Sequence, residues 1–456
     1  MKRFWLVLLS LGLVLAFSAS AMAVDVKFKG EFYAAGVYLN RVDVSGGHEG
    51  SDDITGLSTA FYFQRLRLGT EFIVSPGLKL ITRFDALERA WGAPRSTAGT
   101  AADSDSTGTA AENENIAFDL AYLEYASPIG IFHVGYIHDN LWGTAFGDSD
   151  TNGGGTGGIE YILPIGNFVV GGEIYKEGEN SSTAKAASTK TDQDWDKYCL
   201  WGVYNINKDI NVGLLYAYVR NAGNKAVSSP NGSLTTAHVF EPYVKAKFGP
   251  VSVEAEIDYA FGNTKAEDLV LNSDVSITSL AVYVNAVADF GMFYGGGTFA
   301  YVSGDDPGTL DKAEGGFLSG GQDFNPCLIM FNYDYITKWT GQLEGWSGSR
   351  VGGPMTNAWF GQGKIGVRPI AKLDINASLA YAKADQDGVG FSGTYPNKNY
   401  GYEIDVTGTY KITNNLSYML GLGYLFTGDY YKGAAWGTRM TVKDNYMVIN
   451  KLTLTF

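Results

Sequence analysis

The chain has two cysteines, four histidines and fewer basic than acidic residues across 456 positions, and each shortage closes off a class of protein. Cys199 and Cys327 are too few to build a disulfide scaffold, although an exported chain could pair them. His48, His133, His138 and His238 are scattered. His133 and His138 lie five apart, so strict alternation along a strand sends them to opposite faces, where they cannot share a metal. No GxSxG, HExxH or phosphate-loop stretch occurs in a convincing context, so the sequence offers no enzyme. With 34 Lys and Arg against 48 Asp and Glu, the formal charge of −14 argues against nucleic-acid binding, which needs a basic surface. Past the N-terminus, no run approaches the ~18 consecutive apolar residues of a membrane-spanning helix.

Aromatic residues are abundant instead: nine Trp, 29 Tyr and 25 Phe, enough to bury much surface and argue against disorder. At the N-terminus, Lys2 and Arg3 precede an apolar run from Phe4 to Phe17, and Ala21-Met22-Ala23 follows. This pattern predicts a secretory signal peptide over 1–23 and a mature chain of 24–456. A retained membrane anchor is the alternative, but the apolar stretch is short for a span. At the C-terminus, NYMVINKLTLTF alternates apolar and polar residues and stops on Phe456. Period two marks a strand with one apolar and one wet side.

The same alternation fills the middle. In 251–261, Val251, Val253, Ala255, Ile257, Tyr259 and Phe261 oppose Ser252, Glu254, Glu256 and Asp258. In 400–412, Tyr400, Tyr402, Ile404, Val406, Tyr410 and Ile412 oppose Glu403, Asp405, Thr407, Thr409 and Lys411. Short Gly, Pro, Asn and Asp clusters at 75–77, 127–130, 164–167, 207–209, 249–250, 289–291, 369–372 and 413–415 read as hairpin turns. Longer polar connections separate the hairpins, among them 92–115, 178–196, 222–236 and 304–356. Eight tight turns with one strand at each end give about eighteen strands, or sixteen if one doubtful pair merges. A soluble sandwich would explain any single hairpin but not so long an array of long strands. A closed all-β transmembrane antiparallel barrel in lipid explains the whole, with tight turns on one rim, long loops on the other and the last strand pairing with the first near 25–39.

On these features the chain resembles outer-membrane porins of Gram-negative bacteria, in particular a trimeric family with a Gln-Arg-x-Arg strand after the first loop. Here that stretch is Phe63-Gln64-Arg65-Leu66-Arg67-Leu68. The resemblance implies an outer-membrane location, short periplasmic turns, extracellular long loops, a homotrimer and passive diffusion of small hydrophilic solutes and ions. It also implies that Phe456 belongs to the terminal signal read by the barrel-assembly machinery. Asn450 interrupts the apolar row of that signal.

Parity assigns the channel face. Arg65, Arg67 and Glu71 share one side of 61–73, and Lys79, Arg83, Asp85 and Arg89 share one side of 78–89. A simple register about the turn at 75–77 places Arg67 near Asp85 and Glu71 near Arg83, and the turn at 249–250 places Lys245 near Glu254. These charges, with Glu256, Asp258, Glu403, Asp405 and Lys411, read either as a solvated, mutually compensating wall or as a selectivity filter for a sugar, organic acid or oxyanion. A structural or adhesive barrel with a plugged lumen is a third reading. The 304–356 loop is rich in large apolar residues, including Phe324, Ile329, Phe331 and Trp339, so it is expected to fold into the channel and narrow it. A Cys199–Cys327 disulfide would pin it there. No cofactor is expected. Asp148-Ser149-Asp150-Thr151-Asn152-Gly153 begins like a calcium loop, but Glu160 comes one residue late and the segment joins strands rather than helices. A plugged TonB-type transporter is disfavoured because the first strand begins almost at Val24.

Overall fold

Alternation at period two persists over ten or more residues when one face of a strand meets an apolar medium and the other a polar one. A computed structural model describes residues 24–48, 58–92, 116–151, 153–180, 193–225, 232–266, 274–390, 393–394, 397–433 and 440–456. In it the alternating segments form eighteen long strands. They are β1 (Asp25–Leu39), β2 (Thr59–Ser75), β3 (Leu78–Ala90), β4 (Ile116–Ser127), β5 (Gly130–His138), β6 (Gly155–Ile165), β7 (Phe168–Gly178), β8 (Trp195–Asn207) and β9 (Ile210–Asn221). They continue as β10 (Ser233–Phe248), β11 (Val251–Ala266), β12 (Val275–Asp289), β13 (Phe293–Val302), β14 (Ala358–Ile370), β15 (Leu373–Ala384), β16 (Asn399–Lys411), β17 (Leu416–Thr427) and β18 (Asn445–Thr455).

Each strand pairs antiparallel with its chain neighbour, and β1 pairs with both β2 and β18. The sheet therefore closes into a barrel without a free edge. Eighteen strands are present, and all eight tight turns read from the sequence join the hairpins on one rim. A two-residue strand, Lys312–Ala313, adds in parallel to Ser276–Ile277. The N-terminal 1–23 stretch lies outside the described residues.

The terminal residue extends the closing seam, which pairs Glu31–Leu39 with Met447–Thr455. The Gly30 N–H donates to the Phe456 carbonyl at 2.7 Å, and the Phe456 N–H donates to the Gly30 carbonyl at 3.0 Å. A Cβ on Gly30 would stand 2.6 Å from Phe456 Cζ, so only glycine leaves the ring its place over the seam.

The outer face is apolar and open: Phe28, Leu80, Leu123, Leu200, Ile365 and Leu420 are exposed there. Leu200 is 65 % exposed beside Cys199 at 5 %, one step of the alternation. The buried clusters are inside the barrel. Among the described residues, 139–154 between β5 and β6 and 303–357 between β13 and β14 fold into it, and Val44, Tyr430 and Tyr431 of two further connections join the same cluster. The sequence pattern pointed to 303–357 and missed 139–154.

Candidate functional site

Two neighbouring strands carry a ladder of guanidinium groups into the lumen. Arg67 on β2 binds Asp85 on β3 through two hydrogen bonds and reaches Asp119 on β4 at 3.4 Å. Arg83 on β3 donates from Nε to Asp119 at 2.8 Å and from Nη1 to Asp150 at 2.8 Å. Arg65 lies 3.4 Å from Glu31 and 3.7 Å from Glu88, with its guanidinium over the Tyr33 ring at 5.2 Å. Lys338, on a short helical stretch of the 303–357 loop, also binds Glu88. Every arginine of the ladder thus carries acidic partners. Arg65 and Arg67 also donate to the Thr151 carbonyl, which ties the 139–154 loop to this wall.

Two of those acids, Glu88 and Asp119, escape a parity reading because of β-bulges. The register shifts by one residue opposite Arg65, where Leu87 takes a positive φ of 52°, and Glu88 rather than Arg89 turns inward. Arg89 instead lies in register with Gln64, on the face opposite Arg65, so the expectation that it lines the channel is corrected. A second shift between Arg83 and Phe84 inserts Asp119 into β4 and buries both Asp119 and Leu120. A bulge adds one residue and reverses every face beyond it. The expected Glu71–Arg83 proximity is also corrected: Glu71 is in register with Ile81, and Lys79 lies 3.8 Å from Glu71 and 2.9 Å from Glu124.

The acidic strands hold the inward loops. The two Glu403 carboxylate oxygens accept the Ile329 and Met330 N–H groups at 2.7 Å each, and Asp405 accepts that of Leu328 at 3.3 Å. Three successive amides of the long loop are therefore anchored on two carboxylates of β16. Likewise Glu256 on β11 accepts the Thr144 N–H and hydroxyl, both at 2.5 Å. Glu256, Asp258, Glu403 and Asp405 are buried beneath the loops. Glu254 stays in the lumen, accepting from Tyr283 and Asn285 and standing in register with Lys245. Lys411 lies near the tight-turn rim and is exposed.

The apolar residues of the long loop find their cover inside the wall. Phe331 packs edge-on against Phe360 and Tyr400, and Trp339 lies 4.6 Å from the Phe63 ring. The two lumen loops also meet each other. Phe146 contacts Phe324 at 5.3 Å, Gln322 N–H donates to Ser149 Oγ, and Thr151 N–H donates to Asp323. Phe146 continues to Tyr283 on β12, stacked at 5.4 Å.

Both cysteines are buried free thiols, so of the two alternatives, a Cys199–Cys327 disulfide and unpaired thiols, the structure has the second. Cys199 packs with Tyr175 and Leu215, and Cys327 belongs to the separate cluster beneath the long loop. Cys327, Glu403 and Asp405 bring ligand atoms within 4.8 Å of one another, the single such group among the described residues. Glu403 already serves two amides there. In the calcium-like stretch, Asp148 accepts the Asp150 N–H, and Asp150 is taken by Arg83 and by His138 at 2.5 Å; Asn152 lies outside the described residues. His133 and His138 do not part to opposite sides: both rings lie against Tyr122, at 5.0 and 6.1 Å, because β5 ends at His138 and the chain turns inward.

Cavities line the interior. One of about 720 Å³ is bounded by Arg65, Arg67, Arg83, Tyr122 and Thr151. Another of about 470 Å³ lies below the long loop, beside Asn285, Gln362 and Lys364.

No family model and no curated protein matches the chain. Among solved structures, it is similar to OpdQ of Pseudomonas aeruginosa at 10% identity, with a TM-score of 0.49, covering 95% of this chain and 98% of that one. The outer membrane protein OpdK of Pseudomonas aeruginosa matches at 10% identity and a TM-score of 0.49, covering 94% of this chain and 99% of that one. OccAB4 of Acinetobacter baumannii matches at 11% identity and a TM-score of 0.48, covering 96% of this chain and 100% of that one.

Proposed function

We propose that the chain is a bacterial outer-membrane porin, a channel for passive diffusion of small hydrophilic solutes and ions. The observation that carries this reading is the inversion of the barrel: apolar side chains outside, charged side chains and cavities inside. A membrane supplies the apolar medium the outer face needs, and eighteen strands enclose more space than their own side chains fill. Diffusion down a gradient requires no catalytic group. The two inward loops narrow the passage, and their ion-paired, hydrogen-bonded anchoring favours a second reading within the same class, a substrate-selective channel.

The export signal at 1–23, assembly into a homotrimer and recognition of Phe456 by the assembly machinery complete the proposal. Planar-bilayer recording tests it. A folded protein should give stepwise ohmic conductance in potassium chloride, and competition by one solute class would mark selectivity. A folded barrel that carries no current would instead support a structural role.

A further inference from the structure

Residues 139–154 separate the arginine ladder from a second interior wall. There a cavity of about 470 Å³ lies between this loop and strands β5–β10. Trp142 from the loop, Trp201 from β8 and Tyr243 from β10 line it, with Trp142 centred 6.1 Å from Trp201 and 5.2 Å from Tyr243. Hydrogen bonds hold both indoles. Trp142 Nε1 donates to the Glu241 carbonyl and Trp201 Nε1 to Glu173 Oε1, each at 2.8 Å. Trp201 also lies over Gly171, where any Cβ would collide with the ring.

The charge on this wall differs from that of the ladder. Glu173 and Glu241 line the cavity, and neither has an ion-pair partner among the described residues. Lys197 is held by Asp139 and Glu177, and Lys245, in register with Glu254, carries its ammonium 5.7 Å from the centre of the Tyr243 ring. A second cavity of about 550 Å³ shares Asp139, Asn140, Gly147 and Glu241 with the first, and extends the route past Asp258. Asp258 is 4 % exposed, and its Oδ1 has no hydrogen-bond partner. Uncompensated carboxylates beside fixed aromatic faces attract a cation that carries an apolar body, through charge and through the ring quadrupoles.

We propose that this aromatic–carboxylate cavity is a binding site for small organic ammonium ions. The ammonium is drawn to Glu173 and Glu241, and the organic part rests on Trp142 and Trp201. The inference rests on the channel reading and names the solute class that the channel binds.

The test compares benzylammonium chloride, sodium benzoate and benzyl alcohol on the full barrel in planar bilayers. Benzylammonium should block the current in a concentration-dependent manner, and the other two should not at equal concentration. Glu241→Gln and Trp142→Leu should each raise the half-blocking concentration about tenfold, the scale of a partly desolvated cation–π or charge contact. Heat-modifiable mobility checks that both variants are folded. Equal block by benzoate, or unchanged benzylammonium block in both variants, overturns the site. Quenching of tryptophan fluorescence by benzylammonium in micelles provides a readout independent of conduction. Saturable quenching without current would sink the channel reading and keep the site, whereas current without block or quenching would do the reverse.

Discussion

Arg67 grips Asp85 across β2 and β3 in a two-pronged contact, Nε to Oδ1 at 2.7 Å and Nη2 to Oδ2 at 2.6 Å. Such bidentate pairs are among the stronger polar contacts, and this one joins neighbours that supply still more carboxylates. The ladder is therefore close to charge-balanced, so its local sign is set by what is removed.

Replacing Arg65, Arg67 and Arg83 together with Ser should move the reversal potential in a salt gradient toward cation selectivity. Glu31, Asp85, Asp119 and Asp150 would lose their arginine partners and Glu88 would keep only Lys338, leaving net negative charge in a confined aqueous path. An unmoved reversal potential in a folded variant would place the conducting path away from this wall.

Asp150 should resist acid. Burial works to raise its pKa, but the His138 hydrogen bond and the Arg83 charge outweigh burial and hold the carboxyl well below the usual carboxylate range. A lowered folded-state value means that the ionised form supports docking of the 139–154 loop. That support is complete above the ordinary Asp value of about 3.9 and is lost as pH falls below it through the folded value. Wild-type channel noise should stay flat from neutral pH down to about 5. Asp150→Asn should be noisy already at neutral pH; a quiet variant would count against this anchor.

Glu403→Ala removes the acceptor of two loop amides, each such bond to a charged group contributing roughly 1.5–3 kcal/mol. The expected result is frequent excursions to higher conductance and faster proteolysis within 303–357. Excising 318–345 should give a steadily raised conductance, and excising 141–151 should raise it as well, the two effects being coupled because the loops meet through Phe146–Phe324 and Thr151–Asp323. Unaltered conductance in both folded deletions would defeat the idea that they narrow the channel.

Deleting Phe456 should lower the yield of heat-modifiable barrel in the outer membrane. The deletion takes away both backbone hydrogen bonds to Gly30 and the ring over the β1–β18 seam. Gly30→Val should produce a similar defect, because its side chain would enter the space of that ring. Normal assembly of both variants would show that the seam closes without them.

The class of fold was legible in local pattern because a strand's two faces are set by its own alternation and a hairpin by its own turn residues. Val251 to Phe261, the Gly249-Pro250 turn and the Arg67–Asp85 pairing needed no knowledge of distant chain. The details of the site did not share that independence. One extra residue at Leu87 and another at Asp119 exchanged Arg89 for Glu88 and added an acid to the ladder, since a one-residue slip reverses the faces that follow. The inward path of residues 139–154, the separation of Cys199 from Cys327 and the use of Glu256 and Glu403 as loop anchors were decided only by tertiary structure. Each depends on contact between segments far apart in the chain, such as Thr144 with Glu256 and Ile329 with Glu403, and a short-range periodicity carries no record of such meetings.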